Sequence, residues 1–368
     1  MIDYDLVDYL QLVLENDGSD LHITVGAPPQ IRIHGVLHSM GEESLDGPLA
    51  KELIMATLKD TQRAELEKNL ELDFALQVEN LGRFRGNAHF AQGNLEAAFR
   101  FIPDEIPELG SLGHYPVVDA FCNVHEGLVL VTGITGSGKS TTLAAMTRRI
   151  TEERSAVVVT IEDPIEFVFP HTPTSIIKQR QIGTDTHSFA GALRSAMRQD
   201  PDVIIVSEMR DPETIRVALT AAETGHLVLS TLHTVDAPKS VDRLIDTFPR
   251  EQQQQIASQL STTLEGVVSQ HLLPSTEEGG GRVLLSEVMR VTNSIGTCIR
   301  ERKLEQVLGL IEIGRNEGMH TRDHCLVELA AGEKITLATA LDYCRDKNFV
   351  TESYREHVKA NKKPFWKR

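Results

Sequence analysis

The sequence predicts an α/β protein: a core on a doubly wound parallel sheet, preceded by a smaller α+β domain with an antiparallel sheet and followed by a helical region. Three observations carry this. Apolar and polar residues alternate in several segments before about residue 103, the pattern of strands with one wet face. Beyond about residue 115 short apolar runs alternate with helical stretches, as expected of parallel strands buried on both faces. From about residue 290 the periodicity is helical.

In order along the chain, Leu6, Leu10, Val13 and Leu14 fall at helical spacing until Asn16-Asp17-Gly18 breaks the pattern. The stretches SDLHITVG and QIRIHGVLHSM, either side of Pro28-Pro29, read as paired strands through Leu21, Ile23, Val25, Ile31 and Ile33. A helical stretch near 47–69 follows, and then GRFRGNAHFAQG and NLEAAFRFIP, joined near Gly93-Asn94, read as a hairpin. Residues 1–103 are therefore expected to form the α+β domain, and 104–115 a linker, because Pro103, Pro107, Gly110 and Gly113 oppose regular structure. The core is expected over 116–290, with buried strands at 128–131, 157–161, 203–206 and 227–229. A helical region over 291–350 takes its candidate helices from 304–313 and 321–331, and a basic tail over 351–368 ends in KKPFWKR.

Composition excludes some functions. With 37 Lys+Arg against 53 Asp+Glu in 368 residues, the net charge is −16, which opposes the phosphate attraction on which nucleic-acid binders rely; no nucleic-acid partner is expected. No apolar run reaches the roughly 18 residues of a membrane span, and the acidic N-terminus lacks the basic start of a signal peptide, so a cytoplasmic location is expected. Cys122, Cys298, Cys325 and Cys344 lie far apart without a CxxC pair, and reduced structural thiols are the reading.

The chemistry is concentrated in the second domain. An apolar strand runs into Gly133-Ile-Thr135-Gly136-Ser137-Gly138-Lys139-Ser140-Thr141 and then into a Thr-, Leu- and Ala-rich helix. This is the order a phosphate loop needs: backbone N–H groups curl around phosphate oxygens at a helix N-terminus, Lys139 reaches the β/γ-phosphates, and the Ser140 hydroxyl ligates Mg²⁺. ATP and Mg²⁺ are the expected cofactors. A second carboxylate on a neighbouring strand completes such a site, and DVIIVSE supplies Glu208 after an apolar run. Between the two, TIEDPIE places Glu162, Asp163 and Glu166 after a strand; either a cation or a water-activating role holds these carboxylates together, or they cap the following turn. His226 and His233 bracket another strand and are too far apart for a shared metal; His233 suits the ligand edge of the sheet, with a structural hydrogen bond the alternative for either residue.

Taken together, the segments GITGSGKSTTLAAM, TIEDPIEF, DPDVIIVSEMRD and TAAETGHLVLSTLHT, in that order, resemble the type II/IV secretion ATPases, and within them the PilT-type twitching-motility (pilus retraction) ATPases. SDLH, the Pro28-Pro29 pair and GRFRGNAHF extend the resemblance over roughly 15–300. It implies a PAS-like first domain, a RecA-like second domain and a homo-hexamer with ATP between the domains. It further implies that Glu166 is the catalytic base or water positioner, that Glu208 holds the water shell of Mg²⁺, and that His226 and His233 couple nucleotide to the subunit interface. Arg83, Arg85 and Arg100 would reach toward the γ-phosphate; as bare sequence they read equally as exposed strand arginines.

The implied activity is ATP hydrolysis driving type IV pilus retraction at the cytoplasmic face of the inner membrane, with a membrane-embedded platform protein and a paralogous pilus ATPase as partners. Absence of paired CxxC motifs favours retraction over assembly. Two departures stand out: Ser207 replaces a Gly before Glu208, and 294–301 reads SIGTCIRE where the family carries AIRNLIRE, keeping Ile295, Ile299, Arg300 and Glu301. Open alternatives are an accessory PilU-type ATPase, which the C-terminal extension suits, an assembly or secretion ATPase, an ATP-binding regulatory subunit and a DNA translocase.

Overall fold

The Asp5 carboxylate accepts a hydrogen bond from the Asp8 N–H and the Asp8 carboxylate accepts one from the Asp5 N–H, a capping box that starts α1 (Leu6–Glu15). The computed structural model describes residues 5–33, 35–102, 105–276 and 281–361. The chain divides into two compact units, residues 1–105 with 166–168, and residues 106–165 with 169–368.

The first unit continues with β1 (Gly18–Ile23), β2 (Gln30–Ile33), β3 (Val36–Ser39), α2 (Gly47–Ala56), α3 (Asp60–Asn69), β4 (Glu71–Val78), β5 (Gly82–Ala91) and β6 (Asn94–Ile102). The six strands form one sheet in the order β3-β2-β1-β6-β5-β4, every pair antiparallel. Leu21, Ile23, Phe84, Leu95 and Phe99 line its buried face with α1 and α2 residues such as Leu10 and Ile54, and the charged residues take the other face. The β5–β6 turn is Gln92-Gly93, both at positive φ (51° and 81°), as a two-residue hairpin of the right twist requires. Three details differ from expectation. QIRIHGVLHSM folds as two strands around Gly35 at φ 87°, and 47–69 as two helices. Strand β4 was masked in the sequence by its interspersed acid and amide residues.

In the second unit come α4 (Pro116–Cys122), β7 (Gly127–Thr132), α5 (Lys139–Glu153), β8 (Val157–Glu162), β9 (Ile176–Gln181), α6 (Phe189–Ala196), β10 (Val203–Val206), α7 (Pro212–Glu223), β11 (Leu227–Leu232), α8 (Ala237–Asp246), α9 (Arg250–Thr263), β12 (Leu264–Pro274) and β13 (Arg282–Arg290). The sheet order is β13-β12-β7-β11-β10-β8-β9, parallel except for β13. Every residue of β7 and β11 is buried. Leu128 and Leu130 pack on one side with α6–α9, while Val129 and Val131 pack on the other with α4 and α5, so helices cover both faces. The hairpin β12–β13 was not anticipated.

The segment read as a linker is partly structured: Ile106 and Leu109 are buried, and Leu109–Leu112 forms a 3₁₀ turn whose leucines pack with α4 and α5. Apolar side chains there outweigh the prolines and glycines. Pro103 lies outside the described residues.

The C-terminal region comprises α10 (Asn293–Arg300), α11 (Val307–Ile313), α12 (Arg322–Ala331), α13 (Leu337–Tyr343) and α14 (Lys347–Asn361). Residues 351–361, expected to begin a tail, continue α14, whose Val350 is fully buried; the end of the expected tail, with Phe365 and Trp366, lies outside the described residues. A buried ion network anchors this region: Arg345 reaches Glu287 Oε2 at 2.5 Å and Asp236 Oδ2 at 3.3 Å, and Asp323 accepts from the Arg345 and Asp346 N–H groups at 2.9 and 2.8 Å. The four cysteines are free thiols, three of them buried. Among the described residues no helix is long and apolar enough to cross a membrane.

His320 is 4% exposed, stacks on Tyr115 at 3.6 Å between ring centroids and shares a 3.0 Å hydrogen bond with Ser286. Burial, reinforced by His114 and His324, pushes its imidazolium pKa down to about 4. The unfolded chain, with an ordinary value near 6.5, therefore binds the extra proton first as pH falls. This residue costs no stability well above pH 6.5; between about 6.5 and 4 it removes up to about 3 kcal/mol. Urea unfolding at pH 7.5 and 4.5 is expected to show a smaller acid loss in His320→Gln than in the unmutated protein; equal losses would refute this assignment.

Candidate active site

The phosphate loop follows β7, near the centre of the sheet, and leads directly into α5. Gly133, Gly136 and Gly138 adopt positive φ of 149°, 77° and 87°. At Gly133 the demand is also steric: a Cβ would lie 2.3 Å from the Gln270 carbonyl oxygen and 2.5 Å from Ser137 Oγ. Gly133→Ala is expected to cost more than about 1 kcal/mol, read as a lower Tm, and to abolish stabilisation by added nucleotide; a full nucleotide shift in the variant would contradict the loop's role.

Lys139 is buried, with Nζ 2.9 Å from the Gly133 carbonyl oxygen and 3.0 Å from that of Ile134, so its ammonium lies over the loop. Ser137 Oγ is buried with no hydrogen-bond partner among the described residues. Ser140 and Thr141 follow on the first turn of α5, half-exposed, while Thr135 and Gly136 are exposed. An ammonium, an unspent hydroxyl and the N–H groups of a helix start are the donor set a polyphosphate needs. The Ser140 hydroxyl and the Glu208 carboxylate are the hard oxygens available to Mg²⁺ and its waters.

Glu208 lies just beyond β10. The residue before it is tied to the strands on both sides of β10: the Ser207 N–H donates to Ile161 O at 2.9 Å, and the Thr231 hydroxyl donates to Ser207 O at 2.5 Å. Its carboxylate meets Arg210 Nε at 2.7 Å and His233 Nε2 at 3.6 Å. Thus His233, at the carboxyl end of β11, joins the site. His226 does not. It precedes β11 at the opposite edge, the length of a six-residue strand or about 20 Å away, and its Nδ1 is 2.9 Å from the Ala221 carbonyl oxygen, closing the C-terminus of α7.

The three carboxylates at and beyond the end of β8 are not gathered into a cation cluster; among the described residues no group of three acids, histidines or cysteines could hold a metal. Glu162 is buried and accepts from Thr160 Oγ1 at 2.6 Å and Gln179 Nε2 at 3.1 Å, Asp163 is exposed, and Glu166 is half-buried in the segment grouped with the first unit. In that unit Arg85 and Arg100 face each other across β5–β6, and Arg83 shares their face two residues from Arg85. Arg100 Nε lies 2.7 Å from Asp20 Oδ1, and Arg85 Nη2 lies 3.9 Å from Asp73 Oδ1. Burial pushes the Asp20 carboxyl pKa up, but hydrogen bonds from Ser19 and Arg100 outweigh it and hold it below the usual range.

Sequence reasoning missed the residues behind the loop. Gln270 Nε2 donates to Ser137 O at 2.7 Å, its Oε1 accepts from Thr142 Oγ1 at 3.1 Å, and Thr142 Oγ1 meets His114 Nε2 at 3.0 Å. The available signal was a buried amide inside the apolar run GVVSQHLL.

Residues 4–338 match the Type II/IV secretion system protein family. The chain is 43% identical over 350 residues to the type IV pilus retraction ATPase PilT of Pseudomonas aeruginosa, covering 95% of this chain and 100% of that one. It is 35% identical over 339 residues to the type IV pilus ATPase PilU of the same organism, covering 92% and 88%. The crystal structure of the pilus retraction motor PilT with bound ADP superposes with a TM-score of 0.88 at 42% identity, covering 95% and 100% of the two chains. The chain thus belongs to the Type II/IV secretion system protein family, alongside the PilT pilus ATPases.

Proposed function

We propose that this protein is an ATPase motor that drives type IV pilus retraction, the activity behind twitching motility. The observation that carries the reading is the phosphate loop of 133–141, with Lys139 laid over it and Glu208 at the end of a neighbouring strand but one. The PilT relative, similar along the whole of its length, supplies the retraction part of the reading. Loop N–H groups and Lys139 bind the β/γ-phosphates; Glu208 orients water at the metal's shell, and His233 and Arg210 hold Glu208 in place. Mg²⁺, when bound, supplies positive charge that offsets charge developing on the transferred phosphoryl group.

Glu166 acts as the base or water positioner, and Arg83, Arg85 and Arg100 contribute positive charge toward the γ-phosphate. His226 and His233 couple the nucleotide to the subunit interface. The working form is a homo-hexamer at the cytoplasmic face of the inner membrane, acting on a pilus platform protein beside a paralogous pilus ATPase. Domain closure on ATP and reopening after hydrolysis convert phosphate binding into movement.

The test is to count surface pili and track surface motility in a strain lacking the gene and in one carrying Glu208→Gln. Excess pili with lost motility are expected in both. Bald cells would indicate assembly instead. Unchanged pili would favour the accessory reading, to which the altered 294–301 segment and the similarity to PilU lend weight.

A further inference from the structure

Three side chains that the proposed hydrolysis does not use form a directed hydrogen-bond chain behind the phosphate loop. Gln270, 5% exposed on β12, gives its Nε2–H to Ser137 O at 2.7 Å, so its Oε1 faces Thr142. The Thr142 hydroxyl has one hydrogen and donates it to that Oε1 at 3.1 Å; toward His114 it can therefore only accept. His114 Nε2, 3.0 Å away, must carry the ring proton. That assignment leaves His114 Nδ1 a bare acceptor, and it is buried without a partner among the described residues. Space behind the loop is tight as well: a Cβ on Gly138 would lie 3.2 Å from Gln270 Nε2.

The two ends of this chain matter. Ser137, at one end, carries the buried unpartnered hydroxyl of the phosphate loop. His114, at the other, lies just before α4, in the stretch from Ile106 through which the chain enters the second unit. We propose that His114, Thr142 and Gln270 are positioning residues that set the geometry of the phosphate loop and make its nucleotide affinity depend on the seating of the segment 106–115. A shift of that segment withdraws the His114 donor, frees Thr142 to rotate away from Gln270, and loosens the hold on Ser137 O. The relay rests on the ATPase reading above and adds a control element to it.

The test uses the full-length chain and a fluorescent N-methylanthraniloyl-ADP titration, with thermal unfolding to verify folding. Thr142→Val and Gln270→Met are each expected to weaken binding about tenfold, and Thr142→Ser, which keeps the hydroxyl, to restore it. His114→Phe is expected to weaken binding, and His114→Gln, which places an N–H near the position of Nε2, to recover it. The double variant His114→Phe/Gln270→Met is expected to lose less than the product of the single losses, because one chain is broken twice. Folded Thr142→Val protein with unmutated affinity, or Thr142→Ser failing to restore it, would overturn the relay; should Gln270→Met not fold, the Val/Ser pair decides alone. Absence of binding by the unmutated chain would overturn the ATPase reading and the relay with it, an outcome distinct from normal binding by every variant.

Discussion

Lys139→Ala is expected to abolish ATP binding and to reduce hydrolysis by at least about a hundredfold, the scale seen when one preorganised charge-stabilising donor is removed. The reason is local. The ammonium is buried above the Gly133 and Ile134 carbonyl oxygens, where low solvent exposure strengthens its attraction for phosphate. Alanine removes the charge and leaves those carbonyl oxygens without that donor, so the loop presents acceptors where it formerly presented a cation. Equilibrium titration with labelled ATP measures the binding loss, and phosphate release measures turnover. Ordinary affinity in the folded variant would mean that the loop does not hold nucleotide in the manner assigned.

The second large effect separates binding from chemistry. Glu208→Gln keeps the size of the side chain and its capacity to accept from Arg210, 2.7 Å away, but removes the negative charge to which we assign the orienting of water. ATP affinity is expected to stay within about threefold, while kcat falls by about 10² to 10⁴, the range for loss of a positioned acid or base. Single-turnover hydrolysis with prebound ATP reads the chemical step directly. Wild-type turnover by the variant would remove Glu208 from the mechanism, and equal losses in affinity and turnover would mark it as a binding residue. The pair of variants thus distinguishes a nucleotide-binding role from a water-activating one.

The buried parallel strands were legible because a strand covered on both faces must be apolar throughout, as in β7 and β11. The phosphate loop was legible because its positive-φ positions admit essentially one residue type and its chemistry essentially one cation. Gln270 and Thr142 were not: an amide and a hydroxyl within apolar elements carry no short-range pattern, and they acquire meaning only when β12 pairs beside β7 and brings Gln270 behind the loop. The same applies to Arg345 and Glu287, 58 residues apart in the chain and 2.5 Å apart in space.

Sequence alone thus established the α/β class, the phosphate loop and the acid after β10, because each depends on a local pattern of residue types within a dozen positions. Tertiary structure decided the rest. It set His233 beside Glu208, since β10 and β11 pair in parallel and their carboxyl ends meet. It turned the 106–112 stretch into packed structure, since Leu109 finds an apolar surface only once α4 and α5 are in place. It also dispersed Glu162, Asp163 and Glu166 into different environments, because adjacency in a chain fixes separation along the backbone but not the direction of a side chain.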